Sequence, residues 1–467
     1  MNKFKYIIMA LAVAAGFSSC SDDDGDPYPG GNGPVTVNKV YLEDNSDDAT
    51  VAEREVTFAR LGQTLRLEGS GFGGTRKVYV NGYETYFNTT YVTDRSMILV
   101  LQGKTPVSTA PDSVRNKIQF VKDSGTYTYD FIIRAAAPQI TSVDNTLPQP
   151  GETVVVHGIN LQETSKVTLP GGVEVTDITN ATEEDEDGEW FSFVMPQGVT
   201  ESGSITSEGA NGTAISAKFF NNNDCYIINF DGKGTQGGWS ATYRDTDLVD
   251  DPLGTGRGKV AMLVPQCRLD EGGVKAGVSN IPGYWTAGND DAADDWNRMK
   301  DFIPGETPVS ELALQFDVYV PEPWNLTGQM EITLQNNLSN WGYGSDCTKP
   351  SEKYTNQATV WIPWLQSDGT TKAFTTGDRW VTVTIPLTKF GNYSGDDDAH
   401  TFQNLIDDRN SGSYRNFGFM FVNSDIVFNN DLTISALDFS QKIYVDNFRI
   451  VPNKSTIVSD YPEDLTF

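Results

Sequence analysis

The feature of this sequence that most constrains its fold is an internal repeat. A segment that begins at Leu61 (LGQTLRLEGSGFGGTRKVYVNG) aligns with a segment that begins at Pro150 (PGETVVVHGINLQETSKVTLPG), 89 positions further along. The identical pairs at this spacing are Gly62 and Gly151, Thr64 and Thr153, Gly69 and Gly158, Thr75 and Thr164, Lys77 and Lys166, and Val78 and Val167. Each copy contains a turn, an alternating strand, a glycine-marked bend and a second strand. This pattern predicts two tandem β-sandwiches of the immunoglobulin type.

The region from Asn221 to about Pro452 carries further alternating strands at irregular spacing. Apolar residues occupy every second position in residues 312–320, 330–334 and 381–385. Such alternation is typical of half-buried antiparallel sheet. A domain of this length built from such strands is expected to be a two-sheet jelly roll with long loops. The fold class is therefore predicted to be all-β, with two tandem immunoglobulin-like sandwiches followed by a large jelly-roll β-sandwich.

A chain of 467 residues has room for about three domains. The predicted division is a lipoprotein signal at 1–20, a flexible acidic and Gly/Pro-rich linker at 21–37, immunoglobulin-like domains at 38–136 and 137–221, a jelly-roll domain at 222–455 and a C-terminal tail at 456–467.

The charge of the chain excludes two classes of partner. Its formal net charge is −29, so nucleic acid and anionic lipid head groups would be repelled. The cysteines after Cys20 are Cys225, Cys267 and Cys347, so at most one disulfide forms among them. No C-x-x-C pair is present, which argues against a thiolate zinc site. No cofactor is expected, and a structural calcium ion has no supporting pattern.

The N-terminus has the pattern of a secretory signal. Lys3 and Lys5 precede the apolar run YIIMALAVAAGF, and small residues lead to Cys20. A cysteine at this position predicts cleavage before Cys20 and acylation of that residue, although Phe17 departs from the usual Leu, Val or Ile. The acidic run SDDDGD follows immediately. The alternatives for this run are a surface-export tag and an ordinary acidic linker.

Eight of the nine tryptophans lie in the third region. Several occur in phrases rich in Gly, Asn and Asp, such as GYWTAGND, PEPWNLTG and SNWGYGSD, which are typical of loops. A tryptophan in a loop can stack against the apolar face of a sugar ring, while neighbouring amides bond its hydroxyls. The predicted ligand-binding residues are Trp285, Trp324, Trp341, Tyr343, Trp361 and Trp364, with Gln335 and Asn336 as hydrogen-bonding partners.

The phrase QATVWIPWLQSDG holds two of these tryptophans. Continuous alternation would expose Trp361 and bury Trp364. Pro363 cannot donate to a ladder, however, and a bulge there would bring Trp364 to the side of Trp361. Trp361 is therefore predicted to contact ligand, and core and ligand-facing positions both stay open for Trp364.

The whole arrangement resembles a known family. A lipoprotein signal, an acidic tag, two modules similar to the IPT/TIG branch and a C-terminal domain that opens with CYIINFDGKG resemble B-type surface glycan-binding proteins of Bacteroidetes polysaccharide utilisation loci. The phrases FDVYVPEPW, WIPWLQSDG, RWVTVTIPLTKF and IYVDNFRIV carry the same resemblance. It implies a monomeric, non-catalytic lipoprotein anchored on the outward face of the outer membrane. Its last domain would bind a polysaccharide, a β-glucan such as laminarin or mixed-linkage glucan, beside a SusC/SusD-like importer.

Two other functions are weighed against this one. A jelly-roll glycoside hydrolase would need paired carboxylates, but the nearest acidic run, Glu183, Asp185 and Asp187, lies in the second small sandwich. The two histidines, His157 and His400, have no nucleophile phrase nearby, so a hydrolytic triad is not expected. The third function is an adhesin or structural spacer, which would retain no soluble polysaccharide.

Overall fold

The structure is a computed structural model that describes residues 33–43, 54–181, 189–232, 248–263, 283–285, 295–324, 326–334, 358–393, 400–411, 417–422, 426–428, 432–434, 437 and 441–453. The chain divides into two compact units, 1–133 and 134–467. The first unit is one β-sandwich. The second unit contains a further small sandwich and the large C-terminal domain.

The first unit is built from short antiparallel strands. They are β1 (Thr36–Glu43), β2 (Arg54–Glu55), β3 (Phe58–Arg60), β4 (Thr64–Ser70), β5 (Lys77–Val80), β6 (Tyr83–Thr85), β7 (Ser96–Val100), β8 (Lys117–Lys122), β9 (Gly125–Asp130) and β10 (Ile132–Arg134). One sheet has the order β2-β1-β4-β7, a second has the order β6-β5-β8-β9, and β10 pairs with β3. Alternate residues of β4, β5, β7 and β8 fill the core between the two larger sheets.

The second unit begins with a sandwich of the same plan. Its strands are β11 (Gln139–Val143), β12 (Thr153–Ile159), β13 (Lys166–Leu169), β14 (Val173–Val175), β15 (Ile178–Asn180), β16 (Trp190–Val194), β17 (Thr206–Gly209) and β18 (Gly212–Ile215). The sheets have the orders β11-β12-β16-β15 and β14-β13-β17-β18.

The repeated residues have the same structural roles in both sandwiches. The Thr75 hydroxyl donates to the Phe72 carbonyl at 2.7 Å, and the Thr164 hydroxyl donates to the Leu161 carbonyl at 2.8 Å. Both threonines thereby hold the bend between two strands. The sequence repeat is therefore a structural repeat.

The paired glycines Gly69 and Gly158 lie where two strands approach closely. A Cβ atom on Gly69 would lie 1.8 Å from the Thr36 carbonyl oxygen, and one on Gly158 would lie 1.9 Å from the Gln139 carbonyl oxygen. In each sandwich this contact falls beside a bulge in the first strand. No side chain fits there, which explains why both copies keep glycine.

The C-terminal domain is a larger two-sheet sandwich. Its strands are β19 (Tyr226–Ile228), β20 (Val249–Asp250), β21 (Lys259–Met262), β22 (Gly283–Trp285), β23 (Leu312–Tyr319), β24 (Gln329–Thr333), β25 (Ala358–Trp361), β26 (Val381–Pro386), β27 (Gly418–Val422), β28 (Ile426–Phe428), β29 (Leu432–Ile434) and β30 (Tyr444–Pro452). The larger sheet has the order β20-β21-β30-β23-β26, with β19 also paired to β30. The smaller sheet has the order β22-β27-β24-β25, and β28 and β29 form a separate hairpin.

Helical structure is sparse in the described part of the chain. It contains one α-helix, α1 (Phe402–Ser411). The 3-10 helices are Thr89–Tyr91, Pro170–Gly172, Asn223–Cys225, Trp296–Asp301, Val309–Glu311, Leu387–Lys389 and Gly391–Tyr393. The all-β prediction, with immunoglobulin-like sandwiches and a large β-sandwich, is confirmed. No helix within the described ranges is long and apolar enough to cross a membrane.

The last strand changes the direction of its alternation at Asn447. This residue adopts φ +55°, and the register against β23 shifts between Gln315 and Asp317. The bulge lets Phe448 pack in the core while Asp446 and Arg449 both lie on the outer face of the larger sheet. An uninterrupted strand would place Asp446 and Arg449 on opposite faces.

The second sandwich packs against the outer face of the larger sheet. The Gln315 side-chain amide donates to the Asp144 carbonyl at 2.9 Å and accepts from the Thr146 hydroxyl at 3.3 Å. Arg449 Nε donates to the same hydroxyl at 2.9 Å. Gln315, Thr146 and Arg449 are all buried, and one continuous hydrophobic core runs through both parts. The second sandwich and the C-terminal domain therefore form one body.

Candidate functional site

The smaller sheet of the C-terminal domain has an inner face that is part of the core. Met330 lies directly opposite Trp361 in β25 and opposite Phe421 in β27, and all three are buried. Since residues opposite one another in an antiparallel pair share a face, these positions define the inner face of the sheet. The residues between them define the outer face.

The outer face of β24 carries three polar residues. Gln329, Glu331 and Thr333 alternate with the core residues Met330 and Ile332, and each of the three is only about 1% exposed. The Gln329 side-chain amide donates to Glu331 Oε1 at 3.1 Å. Burial raises the pKa of Glu331 to about 8. The alternation at 330–334 predicted a half-buried strand, and that prediction is wrong, because Glu331 and Thr333 are buried as well.

Four strand ends meet at one edge of this sheet. Thr333, at the end of β24, pairs with Ala358, where β25 begins, and with Gly418, where β27 begins. Trp285, the last residue of β22, pairs with Gly418. The chain leaves β24 and returns to β25 at this edge. The predicted ligand-binding residues Gln335, Asn336, Trp341 and Tyr343 belong to the connecting segment and lie outside the described residues.

Trp324 was predicted to be an exposed plate for a sugar ring, and its position contradicts this. The side chain is fully buried, with its ring centroid 5.5 Å from those of Trp361 and Phe421. Its indole N–H donates to the carbonyl of Thr327 in the same loop. A loop tryptophan can therefore fill the end of the sandwich, because the loop itself satisfies the polar indole nitrogen.

Trp361 and Trp364 are also core residues. Trp361 is 2% exposed and Trp364 is 0% exposed, so neither ring face is free to stack on a ligand. The strand ends at Trp361, and the turn at Pro363 does bring both indoles to the same side, which is the interior. The Trp364 indole N–H donates to the Gly328 carbonyl at 2.8 Å. The prediction that Trp361 is exposed is wrong, and Trp364 takes the core alternative.

For the other residues singled out in the sequence, the described side chains do not show whether the predicted role is correct. The backbone of Trp285 is placed by its pairing in β22, and its role in ligand binding stays a prediction. Cys20 and the acidic run at 183–187 lie outside the described residues, as do Cys267 and Cys347. Cys225 is buried, and its thiol donates to the Phe219 carbonyl at 3.8 Å.

The outer face of the larger sheet is closed by a buried ion network. Asp317 Oδ2 accepts from Arg257 at 2.5 Å, and Asp317 Oδ1 accepts from Arg449 at 3.3 Å and from the Thr382 hydroxyl at 2.8 Å. Burial alone would raise the pKa of Asp317, but Arg449 and Arg257 outweigh it and hold that pKa below its usual value. Burial and the neighbouring Asp317 raise the pKa of Asp446 well above its usual value. The Asp317 carboxylate therefore neutralises the two buried arginines and has a structural role.

An aromatic row extends along the same face. Tyr444 in β30, Tyr319 in β23 and Trp380 immediately before β26 are neighbours, with centroids 5.6 Å and 5.8 Å apart. Trp380 Nε1 donates to Asp251 Oδ1 at 3.0 Å, and Arg257 stacks on the Trp380 ring at 5.0 Å. The row is covered by the turn between β20 and β21. Sequence reasoning missed this row, although the tyrosines and Trp380 all stand next to core strand residues.

Three comparisons relate this architecture to known proteins. Residues 220–452 match the model of a family described as the surface glycan-binding protein B xyloglucan binding domain. An IPT/TIG domain-containing protein of Bacteroides ovatus is 23% identical over 402 residues, which cover 65% of this chain and 76% of that protein. The crystal structure of the surface glycan-binding protein PbSGBP-B from Prevotella bryantii is 19% identical with a TM-score of 0.55, and the match covers 90% of this chain and 99% of that one. At 19% identity, the similarity to the Prevotella bryantii protein shows that the two chains share a fold.

Proposed function

Because the chain belongs to the surface glycan-binding protein B family through residues 220–452, we propose that it is a cell-surface protein that binds a β-glucan without cleaving it. The observation that carries the proposal is the family match, which covers the whole C-terminal sandwich. Xyloglucan is the first ligand to test, because the matching family is described by its binding of xyloglucan. Laminarin and mixed-linkage glucan are the further candidates.

The smaller sheet is the part of the C-terminal domain that supports a binding site. The second sandwich and the β20–β21 turn cover the larger sheet along its inner strands, so a polysaccharide has no access there. At the edge of the smaller sheet, by contrast, Trp285 is placed beside the point where the chain leaves β24. We place the glycan at this edge, with Trp285, Trp341 and Tyr343 as stacking residues and Gln335 and Asn336 as hydrogen-bonding residues.

The proposal includes the position of the protein in the cell. Acylation at Cys20 would anchor the chain to the outer membrane with its domains facing outward. Anchoring near a SusC/SusD-like importer would raise the effective concentration of captured polysaccharide at the importer. Replacement of Cys20 by alanine in the full-length chain should release the protein from the membrane fraction. Retention of the variant there would contradict the lipid anchor.

An affinity gel tests the ligand. The purified mature protein is run through native gels that contain xyloglucan, mixed-linkage glucan, laminarin or mannan, beside a gel without polysaccharide. We expect retardation by at least one β-glucan and none by mannan. Trp285→Ala and Trp341→Ala should each remove most of the retardation, whereas Tyr86→Ala should not, because Tyr86 is a 74% exposed aromatic residue of the first sandwich.

The same purified protein distinguishes the proposed function from the two alternatives, a glycoside hydrolase and an adhesin or spacer. Sustained release of reducing sugar from the retained glucan would identify a glycoside hydrolase. Absence of retardation in every gel would favour an adhesin or spacer and would contradict the proposed function.

A further inference from the structure

The first sandwich contains an open cleft beside the bulge of its first strand. The volume of this bulge cleft is about 500 Å³, and its lining residues are Asn38, Lys39, Glu68, Gly69, Arg95 and Ser96. All six belong to the first unit, in β1, in β4 and at the start of β7. The volume lies within the range of roughly 300–1,000 Å³ that is typical of small-molecule sites.

The strand register explains how the lining residues come together. The pairing of β1 with β4 shifts between Val37 and Lys39, so Asn38 is the extra residue of the bulge. Lys39, Glu68 and Ser96 lie directly opposite one another across β1, β4 and β7, on the face of the sheet that is turned away from the core. Asn38 and Lys39 are exposed, and Glu68 and Ser96 are only partly buried. A ligand can therefore reach this row from the solvent.

The second sandwich has the same backbone arrangement without an exposed polar row. Its corresponding row across β11, β12 and β16 is Ser142, His157 and Trp190, beside a bulge in β11. Ser142 and His157 are only 2% and 6% exposed, and the large Trp190 takes the position of Ser96. The bulge by itself therefore does not leave the row open, and the open row is a property of the first sandwich.

Arg95 is a cation of the bulge cleft with an exposed side chain. Its backbone is fixed in the turn before β7, because its carbonyl accepts from the Gly69 N–H at 2.9 Å and its N–H donates to the Thr93 hydroxyl at 3.2 Å. Its guanidinium group makes no hydrogen bond or ion pair with any residue that the structure describes, whereas Lys39 pairs with Glu55 at 2.9 Å. A guanidinium group binds a carboxylate through two parallel hydrogen bonds. Arg95 therefore offers a place for one negatively charged group.

The rest of the lining favours a hydroxylated ligand. The Asn38 amide and the Ser96 hydroxyl both donate and accept, and the Glu68 carboxylate accepts. No apolar side chain lines the bulge cleft, so the hydrophobic anchor of a protein partner finds no complementary surface there. We propose that the bulge cleft binds a uronic acid residue of a glycan, with the carboxylate on Arg95 and the hydroxyl groups on Asn38, Glu68 and Ser96.

The charge of the whole chain restricts which glycan fits. A polymer with a carboxylate on every residue would be repelled by the formal net charge of −29. Salt screens charges that are more than about 10 Å apart, so a single carboxylate in the bulge cleft responds mainly to Arg95 and Lys39. The expected ligand is therefore a mostly neutral glycan with isolated uronic acid residues. Because the bulge cleft lies in the first unit, this inference does not depend on the glucan site proposed for the C-terminal domain.

Two matched sugars and two matched variants test the inference. Methyl β-D-glucuronide and methyl β-D-glucoside, which differ only in a carboxylate or a hydroxymethyl group, are titrated against the mature protein and followed by saturation-transfer NMR of the sugar. We expect the glucuronide to bind and the glucoside to bind at least about 10-fold more weakly. Arg95→Gln should weaken glucuronide binding by about 10-fold or more, the loss typical of a charge-assisted hydrogen bond. Arg76→Gln removes an exposed arginine of the same sandwich that pairs with Asp123, and it should leave the affinity unchanged.

A third variant tests the position of the site. Ser96→Trp gives the first sandwich the residue type that the second sandwich has at the corresponding position, Trp190, and should abolish glucuronide binding by filling the bulge cleft. Circular dichroism checks that each variant is folded. If Ser96→Trp does not fold, Arg95→Gln still decides the inference, because Arg95 has an exposed side chain.

Three outcomes would overturn the inference. They are equal affinity for the glucuronide and the glucoside, unchanged glucuronide affinity in Arg95→Gln, and binding of N-acetyl-aspartate amide as tight as that of the glucuronide. The last outcome would show recognition of any carboxylate, including that of an acidic peptide. Failure of the protein to be retarded by a β-glucan would contradict the proposed function and leave this inference unchanged.

Discussion

At the scale of single residues, Asp317 is a fully buried carboxylate at the centre of an ion network in the C-terminal domain. Its carboxylate is fully buried and accepts hydrogen bonds from two arginines, a threonine and Asn447. Arg257 is nearly as deeply buried, and Arg449 is completely buried. Removing the negative charge would leave two guanidinium groups in the interior without their partner, which costs far more than the ion pair itself contributes.

We therefore expect Asp317→Asn to lower the free energy of unfolding by about 3–5 kcal/mol. Because the pKa of Asp317 is lowered in the folded protein, its contribution to stability is present above the ordinary carboxyl pKa and is lost as the pH falls through the folded value. Urea denaturation at pH 7 and at acidic pH measures both effects. The exposed Asp378→Asn should change stability by less than about 0.5 kcal/mol. An equally small effect of Asp317→Asn would show that the network is dispensable.

The contribution of Glu331 to stability changes with pH in the direction opposite to that of Asp317. Its pKa is raised from 4.5 to about 8, so the folded protein holds a proton that the unfolded chain releases near pH 4.5. The free energy of unfolding should fall as the pH rises from about 4.5 to about 8. At pH 9, Glu331→Gln should be more stable than the natural protein by roughly 5 kcal/mol, and at pH 4 the two should be nearly equal.

Urea titrations of both proteins across this pH range measure the difference. Glu306→Gln removes an exposed carboxyl group and serves as the control. Parallel pH profiles of the natural protein and Glu331→Gln would contradict the assigned protonation of Glu331.

Trp361 shows where a residue-level prediction from sequence fails. Val360 and Ile362, on either side of Trp361, are apolar too, so alternation shows which residues share a face and not which face is inside. The pairing of Trp361 with Met330 places Trp361 on the inner face, and these two residues are far apart in the sequence. Trp324 and Trp364 were equally hard to assign, because loop carbonyls at Thr327 and Gly328 satisfy their indole nitrogens.

As a core residue, Trp361 should matter for stability. We expect Trp361→Ala to lower the free energy of unfolding by about 3–5 kcal/mol through loss of packing against Phe316, Trp324 and Phe374. Thermal unfolding followed by near-ultraviolet circular dichroism measures the change, and Tyr91→Ala, at a 57% exposed position, is the control. Intact stability with loss of glycan binding would restore an exposed position for Trp361.

At the scale of elements, β30 shows that the order of apolar residues in a sequence can predict a bulge in a strand. In IYVDNFRIV, Ile443 and Val445 are odd-numbered whereas Phe448 and Ile450 are even-numbered, so the phase of the alternation changes at the Asp446–Asn447 pair. A phase change of one residue, at an asparagine, is the pattern of a bulge. The repeated sandwiches were predictable for a similar reason, since Gly69 and Gly158 mark the same close approach of two strands.

The bulge can be tested with two substitutions of one residue. Asn447→Gly and Asn447→Ala both remove the hydrogen bond to Asp317, but only alanine is strained at φ +55°. We expect Asn447→Ala to be less stable than Asn447→Gly by about 1 kcal/mol in equilibrium unfolding. Equal stability would show that the backbone relaxes out of the left-handed conformation.

At the scale of the whole molecule, the second sandwich is part of the C-terminal body. Gln315 Nε2 bonds the Val143 and Asp144 carbonyls, and its oxygen accepts from Thr146, so three polar groups of the second sandwich depend on one side chain of β23. Contacts between residues about 170 positions apart leave no local pattern, so the sequence did not predict that the second sandwich docks on the C-terminal domain.

Calorimetry of the mature protein tests this docking. The second sandwich and the C-terminal domain should unfold in one cooperative transition. Gln315→Leu should lower its free energy by about 1–3 kcal/mol by leaving buried carbonyls unpaired. Gln197→Leu, at an exposed position of the second sandwich, should have no such effect. Two separate transitions in the natural protein would contradict a single body.

The docked second sandwich covers one side of the C-terminal domain, the outer face of the larger sheet. The second sandwich and the β20–β21 turn cover the inner strands of the larger sheet, so the glycan site that we propose lies elsewhere on the domain. A long polysaccharide held at the proposed site would have the docked sandwich behind it, and its solvent-facing side would stay open to contact with a second protein.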